Sequence, residues 1–166
     1  HPFLIDFSNY AFYNQRLKPL PNNFDYVPIK YVQVNGTFSE HTNEAEAEMV
    51  LSIIDKNINR LPNGEYPTVG IATFNIAQRN LIKSKILERQ KFSKFEDFNA
   101  KMQELEEKGM FIKNLENIQG DERDVIILST TYGIGKDRKF AQRFGPINHS
   151  KGYKLLNVII TRAKYK

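Results

Sequence analysis

Three short segments of this 166-residue chain carry residue types that do chemistry. The first is Gln119-Gly120-Asp121-Glu122-Arg123-Asp124. It puts an amide, a glycine and four consecutive charges directly before the apolar run Val125–Leu128. The second is Ala72–Gln78 (ATFNIAQ), with Thr73 and Asn75 where an apolar strand turns into a helix. The third is Asn157–Lys164 (NVIITRAK), which sets Arg162 at the end of an otherwise apolar helical pattern. Each also has a purely structural reading. The charges before Val125 make a solvated turn. Gln78, three residues after Asn75, completes a capping box. Arg162 neutralises a helix C-terminus.

Other sites are missing from the sequence. There is no GxxxxGK[ST] loop: Gly135-Lys136 is followed by Asp137, and Thr130 stands where the first glycine belongs. There is no GxGxxG after a strand and no HExxH. With only His1, His41 and His149 and no cysteine, a histidine or thiolate metal site is not expected, and disulfides are excluded. No apolar run approaches the ~18 residues of a membrane span, and no signal peptide is recognisable. A cysteine-free chain fits a cytoplasmic protein.

The charge is uneven. Between Gly133 and Lys154 stand Lys136, Arg138, Lys139, Arg143, Lys151 and Lys154 against the single acid Asp137, which equals the +5 net charge of the whole chain. A basic loop over 133–153 is either a solvated surface segment or a contact for a polyanion.

The elements that must position these residues alternate. Phe3–Leu17 reads as short helices broken by Pro19 and Pro21, and Ile29–Val34 alternates as a strand does. Asn43 with Glu46 fits a capping box opening a helix whose core face is Val50, Ile53, Ile54, Ile58 and Leu61, ended by Pro62-Asn63-Gly64. Thr68–Phe74 reads as a buried strand. Asn75–Gln90 is a helix with Leu81, Ile82, Ile86 and Leu87 inward, and a charged helix over 94–108 ends at Gly109. Phe111–Leu115 and Val125–Thr131 are strands, with Val125–Leu128 buried on both faces, and a last helix spans Lys154–Ala163. This alternation predicts an α/β domain with a mostly parallel central sheet, its sites in the loops at the carboxyl ends of strands.

In this order the segments resemble the motifs of superfamily 1 helicases over nearly the whole chain. HPFLIDFSNYAFYNQRL resembles the stretch after the family's Arg-Met-His-Pro motif. ATFNIAQ resembles motif IV, KNLENIQGDERDVIILS motif V, and FGPIN with KLLNVIITRAK motif VI and its lead-in. The nearest subgroup is that of the nonsense-decay and DNA-replication helicases, in its bacterial form. The resemblance implies that residues 1–166 are one RecA-like, three-layer domain, the second of two motor domains in a longer protein. It implies ATP with Mg²⁺, the magnesium ligands lying on the first motor domain. The implied partners are single-stranded DNA or RNA and the N-terminal RecA-like domain of the same polypeptide, with no membrane.

The resemblance also assigns roles. The backbone amide of Gly120, which lacks a Cβ, approaches the γ-phosphate. Gln119 donates to a phosphate oxygen or a water, and Glu122 accepts from a ribose hydroxyl. Arg162 is the arginine finger, its fork matched to phosphoryl oxygens. Thr73, Asn75 and Asn117 are placed along the nucleic-acid path, helped by Lys136, Arg138 and Lys139. Asn75 stands where many relatives carry tyrosine, and Leu155 where an arginine often precedes Leu-Asn. The rival readings are a non-catalytic nucleic-acid-binding or scaffold module that kept the motor fold, and a nucleotide-binding domain without nucleic acid.

Overall fold

A computed structural model describes residues 2–17, 27–118, 120–140, 144–150 and 152–164. Helix α1 (Pro2–Phe12) comes first, then α2 (Glu44–Asn57), strand β1 (Val69–Thr73), α3 (Ile76–Gln90), α4 (Glu96–Glu107), β2 (Phe111–Asn114), β3 (Val125–Ser129) and α5 (Tyr153–Ile160). The three strands form a parallel sheet in the order β2-β1-β3, with Val69 beside Val125 and Thr73 beside both Asn114 and Ser129. The expected α/β architecture, a parallel sheet flanked by helices, is present and consistent with a RecA-like fold.

The alternation of side chains along β1 builds two cores. Val69 and Ile71 face α2, α3 and α4, where they meet Val50, Leu51, Ile54, Ile82, Ile86, Phe98, Met102 and Leu105. Gly70 and Ala72 face the other way. Ala72 packs there with Phe74, Phe111, Leu115, Ile118 and Ile159 of α5. Gly70 is small for a reason: a Cβ built on it would collide with the Phe111 ring and with Ile126 Cδ1. Central β1 is buried along its length, whereas edge strand β3 is only half-buried except at Ile127 and Ser129. Both faces of β3 meet a core as expected, Val125 and Ile127 on one side and Ile126 and Leu128 on the other, but the burial is only partial.

Other expectations are also corrected. Ile29–Val34 forms no strand, and Ile29, Tyr31 and Val32 are exposed. Alternation specifies two faces, but a strand needs a neighbour, and the sheet offers this segment none. Helix α2 stops at Asn57, ahead of Pro62, because the Ile58 amide turns back to the Ile53 carbonyl; Leu61 is exposed. Leu87 is 61 % exposed, outside the inward stripe that Ile82 and Ile86 fill. Helix α5 ends at Ile160, so Arg162 lies beyond it in a turn. Among the described residues no helix is long and apolar enough to cross a membrane.

Candidate nucleotide and nucleic-acid surfaces

Because the strands are parallel and in register, the sheet has a distinct amino end and carboxyl end. Four residue steps at ~3.3 Å separate them by roughly 13 Å. The candidate residues divide between the two.

At the amino end, three of the four charges of the motif V-like cluster hold the fold together. Asp124 accepts from the Thr68 amide and hydroxyl, both at 2.8 Å, tying the start of β3 to that of β1. The Arg123 guanidinium donates to the Gly109 and Glu122 carbonyls and lies over the Phe111 ring. Asp121 pairs with Lys113 at 2.6 Å. Glu122 is different: its side chain is exposed and has no hydrogen-bond or ion-pair partner among the described residues. Gly120 sits at φ +74°, a conformation that favours glycine, with open space where a Cβ would stand. Gln119 lies outside the described residues.

Arg162 joins this cluster through its backbone. The Arg123 amide donates to the Arg162 carbonyl at 3.1 Å, and the Lys164 amide donates to the Arg123 carbonyl at 2.8 Å. Arg123 and Ala163 thus form a short parallel bridge. Two segments 39 residues apart, the cluster over 120–124 and the stretch after α5, are held side by side. The Arg162 Nε is buried with no hydrogen-bond partner among the described residues, so that donor is not used by the fold.

At the carboxyl end lies a cleft of about 310 Å³, lined by residues that include His41, Phe74, Asn75, Asn114, Glu116 and Tyr132. Asn75 caps α3: its Oδ1 accepts from the Gln78 amide at 2.8 Å. Its Nδ2 is buried without a partner among the described residues. Thr73 is fully buried and its hydroxyl donates to the Asn75 carbonyl, so its side chain is engaged within the fold. Exposed Asn117 donates to Asn114 Oδ1 at 2.7 Å, beside the cleft. Tyr132 packs against Phe38, Phe74 and Phe144 with ring centres 5.2–6.4 Å apart, giving the cleft an aromatic wall.

The basic loop rises from this same end. Ile134 and Phe140 bridge as a tight hairpin, closed by Gly135 and Lys139 and docked on Phe38. Its one acid, Asp137, accepts from the Lys139 amide. Lys136, Arg138 and Lys139 are left exposed, whereas Arg143 and Lys151 lie outside the described residues.

Beneath the cleft is a polar network that sequence reasoning missed. Neither expected capping box closes on itself. Asn43 Oδ1 accepts from the Glu46 amide, but the Asn43 amide donates to Gln78 Oε1, and Gln78 Nε2 donates back to the Asn43 carbonyl. The Glu46 carboxylate turns to β3, accepting from the Ser129 hydroxyl at 2.9 Å and from the Thr131 amide at 2.9 and 3.0 Å. Gln78 is therefore an entirely buried brace. The Asn-x-x-Glu and Asn-x-x-Gln spacings signalled the caps, but nothing local signals that their far ends interlock.

A family model described as an AAA domain matches residues 20–166. The chain is 32 % identical over 166 residues to an uncharacterized ATP-dependent helicase of Mycoplasma genitalium. It is 33 % identical over 169 aligned positions to the homologous protein of Mycoplasma pneumoniae. Each match covers 98 % of this chain and only 14 % of the relative.

Proposed function

Because this chain belongs to the AAA domain family and is similar to a stretch of two ATP-dependent helicases, we propose that it is the second RecA-like motor domain of a superfamily 1 helicase or translocase. The observation that carries the reading is the Arg123–Arg162 backbone pairing, which sets the motif V-like and motif VI-like segments against each other. In that frame Gly120 offers an amide to phosphate, Glu122 an acceptor to a ribose hydroxyl, and Arg162 a forked cation with an unclaimed Nε. Gln119 adds an amide donor. A bound nucleotide supplies the phosphoryl group. Arg162 stabilises negative charge as it develops there, and Gly120 and Glu122 hold the nucleotide in place. In this reading the magnesium ligands belong to the first motor domain.

The carboxyl end is the single-strand path in this reading. Asn75 and Asn117 offer amides, the backbone at Thr73 borders the cleft, and Lys136, Arg138 and Lys139 meet phosphates. The test is ATP hydrolysis by the longer protein with and without single-stranded DNA or RNA. Turnover stimulated by the strand, and blunted by alanine at Lys136, Arg138 and Lys139, is expected. A longer protein that binds the strand without any ATP turnover would instead establish the scaffold reading.

A further inference from the structure

Thr131 lies two residues past the end of β3 and has φ +71°, which a β-branched residue rarely adopts. The Tyr132 amide donates back to the Thr130 carbonyl at 2.8 Å, so the chain makes a tight i to i+2 turn centred on Thr131, the rarer and strained form. The side chain does not relieve this strain, because Thr131 is fully buried and its Oγ1 has no hydrogen-bond partner among the described residues. The relief comes from across the molecule. Glu46, in the first turn of α2, accepts from the Thr131 amide with both carboxylate oxygens. Asn43 Nδ2 reaches the Thr131 carbonyl at 3.4 Å. The next residue is Tyr132, the aromatic wall of the carboxyl-end cleft.

We propose that Glu46 is a positioning residue for that cleft: from outside it, the carboxylate pins the strained Thr131 backbone and thereby fixes where the Tyr132 ring stands. The proposal rests on the reading of the cleft as a single-strand contact. Backbone strain persists only where the surroundings over-determine it, and it gathers where geometry matters to function. Without the clamp, Thr131 relaxes toward negative φ and Tyr132 swings off the cleft. Gln78 and Asn43 extend the same brace to the Asn75 turn, so both sides of the cleft are set by one network.

Reach and charge are separated by two substitutions. Glu46→Asp keeps the charge at the helix N-terminus but is one methylene too short. Glu46→Gln keeps the length and an acceptor but loses the charge. Amide hydrogen exchange at Thr131 and Tyr132, followed by NMR without ligand, is expected to accelerate at least tenfold in Glu46→Asp. It is expected to stay near wild type in Glu46→Gln, with global melting little changed in both. A fluorescent oligothymidylate is expected to bind Glu46→Asp about tenfold more weakly, with an unchanged salt slope, because geometry and not charge has been lost. Unaltered exchange in Glu46→Asp, or a loss confined to Glu46→Gln, overturns the proposal. If the wild-type chain binds no oligonucleotide, the reading of the cleft fails instead, and the ligand-free exchange still decides the clamp.

Discussion

Arg162 is held by its backbone. Its carbonyl pairs with the Arg123 amide while its side-chain Nε has no partner. Truncation at Cβ therefore leaves the pairing intact, and Arg162→Ala is expected to change stability by about 1 kcal/mol or less, as for a charge just past a helix end. In the longer protein the same change is expected to lower ATP turnover by about 10³ to 10⁵, roughly 4 to 7 kcal/mol, with nucleotide binding largely kept. The difference arises because a finger acts on charge that develops in the transition state. Arg162→Lys is expected to rescue poorly, since an ammonium has no planar fork. Steady-state hydrolysis with saturating single strand, beside nucleotide binding and a melt, checks all three. Retention of more than about a tenth of turnover removes the finger assignment.

Sheet and helices fit by size and by charge. Gly70 in β1 lets the Phe111 ring and Ile126 close over the sheet, so a methyl at this position must displace them. Gly70→Ala is expected to destabilise the domain by about 1 to 3 kcal/mol through overpacking, read by urea unfolding. Helices α2 and α3 are laced by Lys85, which lies between Glu44 (2.6 Å) and Glu48 (2.8 Å). Hydrogen bonds donated to Glu44 and then to Glu48 hold the Lys85 ammonium's pKa above its ordinary value. A raised folded value stabilises fully below the unfolded lysine range and is lost as pH climbs through the folded one. The partners are well exposed, so the contribution is below about 1 kcal/mol. Lys85→Met is expected to flatten the alkaline loss of stability above about pH 10 relative to wild type. A wild-type slope that persists in the variant would assign it to other groups.

In the proposed reading the whole chain presents one face of a nucleotide site and one stretch of a strand path. It spans about 14 % of the length of the relatives it matches. On its own it is expected not to hydrolyse ATP and to bind it only at around millimolar strength, since half a cleft buries little of the ligand. It is expected to bind single strands weakly, with a salt slope of about −0.7 per phosphate contacted. Robust turnover by the pure chain, or salt-independent binding, would contradict this account. Much of that architecture is already written locally. The apolar runs at Val69–Thr73 and Val125–Ser129, the 3.6-residue stripe with Ile82 and Ile86, and the caps at Asn43 and Asn75 need only neighbours a few residues away, so the sequence by itself determined a parallel α/β domain. The exposed cations of residues 136–139 were legible for the same reason. Tertiary structure decided the rest. It left Ile29–Val34 without a strand partner, turned Leu87 outward and put Arg162 past the end of α5. It also joined Glu46 to Thr131 across 85 residues and Gln78 to Asn43 across 35. A local pattern selects backbone conformation and a buried face, but which polar group satisfies a buried donor is settled only when the helices dock on the sheet.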